Sequence, residues 1–301
     1  MASEYQPLVT IITPTYNQAS FLEETIQSVL NQTYQNIEYI IINDGSTDDT
    51  EKVLDKYRDD VRCITQENIG QSATINKGWS LAMGEYVSYL SSDDLLYKDA
   101  VFELVSKILK IKKSNKKAAL VYGDYHIINE RGDLKKTYYS KEYSAKDLQV
   151  NLICQPGLLP LFDKIAFDYF SGWDVDLHQV PDFDFWLRLS SKVDFFHLNK
   201  VVGAYRVHSG SSSFSVMSNE RANEIIYVTE RFYKKYGSDS FIKSQAISNS
   251  YLIASKNHLQ SKRYAMGIVC WFSAFKRNKN IVFSFTSYRM LFSGLLRRYL
   301  G

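Results

Sequence analysis

The strongest constraint on the fold is an alternation of short β-branched runs with helical patterns over the first 125 residues or so. Val9 to Thr13 is brief, β-branched and stopped by Pro14, as suits a strand buried on both faces. Ser20 and Glu23 have the spacing of a capping box, and Leu22, Ile26, Val29 and Leu30 follow at helical intervals. Ile37 to Ile42 reads as a second strand, with a turn at Asp44 to Asp48. The theme repeats at Val61 to Thr65, Tyr86 to Leu90 and Ala119 to Tyr122, with helices over 72–83 and 99–110 between them. This rhythm predicts βαβ units: an α/β fold with a mainly parallel sheet and helices on both faces.

Beyond residue 125 the rhythm loosens. Asn129 to Asp133 reads as a hairpin turn, a helix begins near Asp182, a strand near Asp194, and a further short strand covers Gly203 to Val207. From Ser215 onward the pattern is helical, with Ile225, Ile226, Val228, Phe232 and Tyr233 forming one apolar face. The expected organisation is one domain over 1–214, in halves meeting near 125, and a helical C-terminal region over 215–301.

Composition removes several alternatives. With 301 residues, 45% hydrophobic and 23% charged, the chain is globular, and a net charge of +3 does not call for nucleic acid. Three cysteines argue for a reducing compartment rather than a disulfide scaffold. The opening Met1 to Pro7 carries no basic-then-apolar pattern, so no secretory signal is expected and a cytoplasmic location follows. The stretch from Ile281 is apolar but broken by Arg289 and several hydroxyl residues, so a spanning helix is not expected. Two readings stand for it: a basic amphipathic helix on the inner face of an anionic membrane, or packing against the rest of the chain or a second subunit as a homo-oligomer.

Ligands of an open parallel sheet bind beyond the carboxyl ends of its strands. Polar clusters fall at those ends: Thr13 to Asn17, Asn43 to Ser46, and Ser91 to Asp94. Each alone is more simply a turn, but three in register point to a site. The dinucleotide fingerprint and the Walker P-loop are both absent from the sequence.

Pro14-Thr15-Tyr16-Asn17, Asn31 to Tyr34, Ile40 to Asp48, Asn68-Ile69-Gly70 with Asn76-Lys77-Gly78, and Ala82 to Tyr86 together resemble the nucleotide-binding half of glycosyltransferase family 2. Gly172-Trp173-Asp174, Pro181 to Arg188 and Tyr205 to His208 resemble its acceptor-side motifs. The resemblance covers about two-thirds of the chain and implies a GT-A fold, with the nucleotide half over about 1–125 and the acceptor half over about 126–214. It also implies transfer with inversion from a nucleoside-diphosphate sugar, expected to be a UDP-sugar, to a hydroxyl of a glycan or glycoconjugate.

By that resemblance Asp182 is the catalytic base. Thr13, Pro14, Thr15, Tyr16, Asn17, Asp44, Asn68, Asn76 and Asp94 contact the donor. Asp93 and His208 hold a divalent metal, Mn²⁺ or Mg²⁺, and Gly172, Trp173, Asp174 and Arg188 lie on the acceptor side. Asp184 is expected to share a helical face with neither Asp182 nor Arg188, and Trp186 belongs to the core. Three positions depart from the family: Ser91 stands in place of the first carboxylate of an acidic-x-acidic triplet, Ile75 in place of an arginine, and Pro181 in place of a glutamate. Ser91 and Pro181 leave open a catalytically impaired nucleotide-sugar-binding protein of the same fold.

Overall fold

The structure, a computed structural model, describes residues 5–114, 119–210 and 217–280. The segment from Ile281, with its amphipathic pattern, lies outside the described residues. The chain forms two compact units. One comprises 1–143, 155–175 and 192–209; the other gathers 144–154, 176–191 and 210–301.

The first unit opens with β1 (Val9–Thr15), α1 (Ala19–Leu30), β2 (Ile37–Asp44), α2 (Thr50–Asp55), β3 (Arg62–Gln66), α3 (Gln71–Leu81) and β4 (Tyr86–Tyr89). It continues with β5 (Leu95–Leu96), α4 (Ala100–Ser114), β6 (Ala119–Asn129), β7 (Leu134–Tyr138), β8 (Leu161–Asp163), α6 (Lys164–Phe170) and β9 (Asp194–Val207). Strands run in the order β3-β2-β1-β4-β8-β6-β9-β5, with β7 hairpinned onto β6. The first four are parallel, as the strand–helix rhythm predicts. β8 is antiparallel to both β4 and β6, whereas β9 runs parallel to β6, so the second half of the sheet is mixed. The two strands expected near Asp194 and Gly203 are one continuous strand, with register irregularities opposite Gly123 to Tyr125.

Both faces are covered. Val9, Ile11, Tyr39 and Ile41 pack with Leu22, Ile26, Val53, Leu54, Leu104 and Ile108, placing α1, α2 and α4 on one side. Ile12 points to the other side and meets α3 at Gly78, where an added Cβ would lie 2.4 Å from the Ile12 side chain. The capping box expected at Ser20 is not formed. α1 starts at Ala19, and the loop after β2 satisfies its first N–H groups: Ala19 N donates to Asp48 Oδ2 (3.1 Å) and Gln18 N to Thr50 Oγ1 (3.3 Å).

The second unit contains α5 (Ala145–Gln149), α7 (Pro181–Leu189), α8 (Asn219–Tyr236), α9 (Ser240–Gln260) and α10 (Tyr264–Arg277). Ile225, Val228, Phe232 and Tyr233 form the buried stripe of α8, with Ile226 partly exposed. Among the described residues no helix is long and apolar enough to cross a membrane.

Candidate active site

Three loops at the carboxyl ends of β1, β2 and β3 are tied into one rim. Asn17, in the left-handed region at φ +53°, accepts from Thr47 N at its Oδ1 (2.7 Å), and its own N–H donates to Ser46 Oγ (2.9 Å). Buried Asp44 organises the next loop. Its Oδ1 accepts from Gln66 Nε2 (2.8 Å) and Ile69 N (2.9 Å), and its Oδ2 from Gly70 N (2.9 Å). Gly45 makes that approach feasible: at φ +76°, a Cβ there would sit 2.8 Å from Asn68 N. Thr13 shares a hydrogen bond with Tyr39 (3.0 Å), and Pro14 is buried. Tyr16 and Asn68 are exposed on the rim, and the buried Thr15 hydroxyl has no hydrogen-bond partner among the described residues.

The loop after β4 carries the carboxylates. β5 pairs antiparallel with β9, Leu95 opposite Ala204, which sets Asp93 and Asp94 beside Arg206 and His208. Asp93 Oδ2 lies 3.0 Å from His208 Nε2, so the two residues expected to hold metal meet across 115 positions of sequence. Asp94 Oδ1 accepts from Arg206 N (2.9 Å); burial and then the negative charge of Asp93 hold the Asp94 carboxyl well above the ordinary range. Thr25 on α1 fastens the same loop, its hydroxyl 2.9 Å from the carbonyls of both Ser92 and Asp94.

Arg206 was not singled out by sequence reasoning. It is only 2% exposed, donates from Nε to the Asp93 carbonyl (2.9 Å) and from a terminal nitrogen to the Glu130 carbonyl (3.1 Å), and pairs with Glu24. Its guanidinium lies over the Phe21 ring at 5.0 Å, and that ring also meets His208 at 4.7 Å. The one signal in the sequence was its place two residues before His208 in Tyr205 to His208.

On the expected acceptor side, Asn76 clamps Trp173. Its Nδ2 donates to the Trp173 carbonyl (2.7 Å) and its Oδ1 accepts from Trp173 N (2.8 Å). Gly172 makes the clamp feasible, because at φ +69° a Cβ there would lie 2.2 Å from Asn76 Oδ1. The Trp173 ring packs edge-on against Tyr89 at 5.0 Å, and its buried Nε1 has no partner among the described residues. Asp174 follows, partly exposed.

In the second unit Asp182 occupies the second position of α7, after Pro181, with Val180 as the N-cap. It accepts from Phe183 N at 2.8 Å, and burial pushes its carboxyl above the ordinary carboxylate value. Asp184 and Arg188 correct the expectation made for them. Four residues apart, they do share a face, and Arg188 Nε donates to Asp184 Oδ2 (2.8 Å) while Arg231 of α8 donates to Asp184 Oδ1 (2.6 Å). Trp186 is fully buried, as expected. Glu224 of α8, also missed, accepts from the N–H groups of His178, Gln179 and Val180 (3.0, 2.6 and 3.2 Å) and so fixes the entry to α7.

Residues 10–167 match the sequence profile described as Glycosyl transferase family 2. The chain belongs to that family. It is 30% identical over 256 residues to an uncharacterized glycosyltransferase of Rickettsia typhi, covering 82% of this chain and 78% of that one. It is 31% identical over 243 residues to the chondroitin synthase of Pasteurella multocida, covering 78% of this chain but only 25% of the synthase. An uncharacterized glycosyltransferase of Rickettsia bellii is likewise 31% identical, with 38% of its length covered. Against some relatives, then, the chain spans only a quarter to two-fifths of their length. Among solved structures, S. aureus TarS residues 1–349 in complex with UDP-GlcNAc superimposes with a TM-score of 0.67 at 17% identity, covering 89% of this chain and 79% of that one. A mannosyltransferase of Pyrobaculum calidifontis, in complex with GDP-Man and Mn²⁺, gives 0.61 at 15%, covering 96% and 84%. These likenesses carry the GT-A-like fold.

Proposed function

We propose that this glycosyltransferase moves a sugar from a UDP-sugar to a hydroxyl of a glycan or glycoconjugate with inversion at the anomeric carbon. The observation that carries this reading is the 3.0 Å approach of Asp93 Oδ2 to His208 Nε2 at the end of the sheet, beside the rim built by Asp44 and Asn17. A carboxylate oxygen and an imidazole nitrogen form a donor set that fits a divalent cation, Mn²⁺ more readily than Mg²⁺ because of the nitrogen. Among the described residues no third His, Cys, Asp or Glu joins them, so Asp93 and His208 are the two residues that would hold the ion. When bound, the ion neutralises charge building on the diphosphate leaving group.

The chain's own residues do the rest. The exposed Tyr16 and Asn68 offer a ring face and hydrogen bonds to the nucleotide, whereas the Thr15 hydroxyl is buried and closed to it. Asp44 has three donors on a carboxylate with about four acceptor sites, which leaves one for base or ribose. Asp182 takes the acceptor hydroxyl proton while that oxygen bonds to the anomeric carbon and the bond to the diphosphate oxygen breaks. The proton ends on the carboxylate and the electron pair leaves with UDP. Its raised pKa places a base closer to working pH than an ordinary carboxylate. The bound UDP-GlcNAc of TarS and the glycan-synthase relatives support the donor and acceptor classes.

The test is a panel of nucleotide sugars with Mn²⁺ and oligosaccharide acceptors, scored by released nucleoside diphosphate and by thermal shift. Release with a UDP-sugar, lost in Asp93→Ala, is expected. Stabilisation by a donor without transfer to any acceptor would make the protein a binder instead.

A further inference from the structure

α10 carries apolar residues on two sides. The face it turns to α9 carries small residues, Gly267, Cys270 and Ala274, and is sealed by two hydroxyls: Ser255 Oγ donates to the Gly267 carbonyl and Ser248 Oγ to the Ala274 carbonyl, both at 2.7 Å. The approach is so close that a Cβ at Gly267 would lie 2.7 Å from the Leu259 side chain. Trp271 and Phe275 pack, partly buried, against the cluster of Leu252 and Ala274, and a second set of bulky residues is left on the opposite side. Ile268, Val269 and Phe272 are 54, 57 and 52% exposed, with Tyr264 beside them, on one face at helical spacing. Exposed Lys262 stands before this face and exposed Lys276 and Lys279 stand at its far end, while Arg277 turns its guanidinium over the Tyr251 ring of α9 at 4.2 Å.

The charge distribution along the sequence says what such a face meets. Asp239 is the last acidic residue of the chain. From 240 to 301 there are ten Lys and Arg and no Asp or Glu, while residues 1–239 hold 26 Lys and Arg against 33 Asp and Glu. A balanced overall +3 therefore hides a strongly cationic C-terminal fifth. A second copy docking through the same face would bring two such regions together, and the chain's own residues 281–301 would add cations to cations. An apolar stripe rimmed by Lys, with no carboxylate in the whole stretch, complements an anionic bilayer surface.

We propose that the exposed face of α10 is a docking surface for an anionic lipid bilayer, with Ile268, Val269 and Phe272 entering the headgroup boundary and Lys276 and Lys279 meeting lipid phosphates. The helix lies in the interface and does not cross it. Docking is independent of the transfer chemistry, since none of these residues belongs to the donor or base machinery.

The experiment is sedimentation of the full chain with vesicles of phosphatidylcholine plus phosphatidylglycerol against vesicles of phosphatidylcholine alone. Binding to the anionic vesicles, falling steeply as salt shortens the Debye length from about 10 Å to about 3 Å, is expected. Ile268→Ser with Phe272→Ser should weaken binding at least about tenfold for each side chain removed from the bilayer. Lys276→Glu with Lys279→Glu should weaken it comparably, with thermal midpoint and UDP binding unchanged in both variants. Three results would overturn the proposal: no binding to anionic vesicles, equal binding to pure phosphatidylcholine, or a wild-type dimer that the serine variants convert to monomer without loss of vesicle binding.

Discussion

Replacing Arg206 by Met tests how the loop that carries Asp93 is supported. Methionine fills much of the side chain's volume but removes every donor. Two carbonyls, of Asp93 and Glu130, then lose partners held at 2.9 and 3.1 Å. An orphaned acceptor costs about 1–3 kcal/mol, and the contact with Phe21 at 5.0 Å adds about 0.5–1 kcal/mol. The Glu24 ion pair adds little, because Glu24 is 62% exposed. Relief from burying a guanidinium offsets part of the sum, so a net loss of about 3 kcal/mol is expected. Urea denaturation of the full chain measures it. Mn²⁺ titration by electron paramagnetic resonance then reads the site itself, where loosening of Asp93 should weaken binding about 10–100-fold. Arg206→Lys keeps the charge but not the fan of donors and should recover less than half of the stability. A loss below about 0.5 kcal/mol in Arg206→Met, the level of an ordinary surface change, would refute the argument.

Asp182→Asn should cut turnover by about 10²–10⁴-fold with UDP affinity unchanged, and the wild-type rate should rise with pH through a carboxyl pKa above the ordinary range. The sign on stability is opposite: a carboxyl whose folded pKa is raised favours the fold while protonated and loses that benefit as pH rises, so at neutral pH the Asn variant should melt no lower than wild type. Asp44→Asn places an amide against the N–H groups of Ile69 and Gly70, and should lower both the thermal midpoint and donor affinity. Ser91→Asp restores the absent carboxylate and should tighten Mn²⁺ binding by titration, whereas chelation by EDTA should abolish turnover if Asp93 and His208 act as assigned.

The parallel half of the sheet was legible because strands buried on both faces must be continuous β-branched runs, as at Ile40 to Ile42, where all three side chains are fully buried. The mixed half was not. β8 is three residues long and β5 two, too short for any periodicity, yet β5 fixes the register that brings Asp93 to His208. Local rules failed where residues distant in sequence supply the same hydrogen bonds. Ser20 is not a cap because Asp48 and Thr50 reach back to the start of α1. Arg206 was hidden for the same reason, its partners lying 76 to 182 positions away.

Long-range bonding also divides the polar residues of the rim in a way that motif matching does not. Asn17, Asp44 and Asn76 hold protein N–H or carbonyl groups, at distances of 2.7 to 2.9 Å, and their hydrogen bonds create the loop shapes. Tyr16 and Asn68 are exposed, so their polar atoms are the ones open to a ligand, whereas the Thr15 hydroxyl is buried and has no hydrogen-bond partner among the described residues. In the proposed function the first group would support donor binding mainly through loop shape, Asp44 adding one free acceptor site, and the second through contact. Loss of a shaping residue must therefore lower stability and donor affinity together, because the unliganded loop already depends on it. Loss of a contacting residue removes only what the donor adds, and removing the Thr15 hydroxyl without changing its volume can raise stability, since a buried orphan oxygen is costly in the free protein. The same comparison applied to Asp93 places it between the groups: its carbonyl belongs to the scaffold held by Arg206, while its carboxylate, 3.0 Å from His208, faces the site.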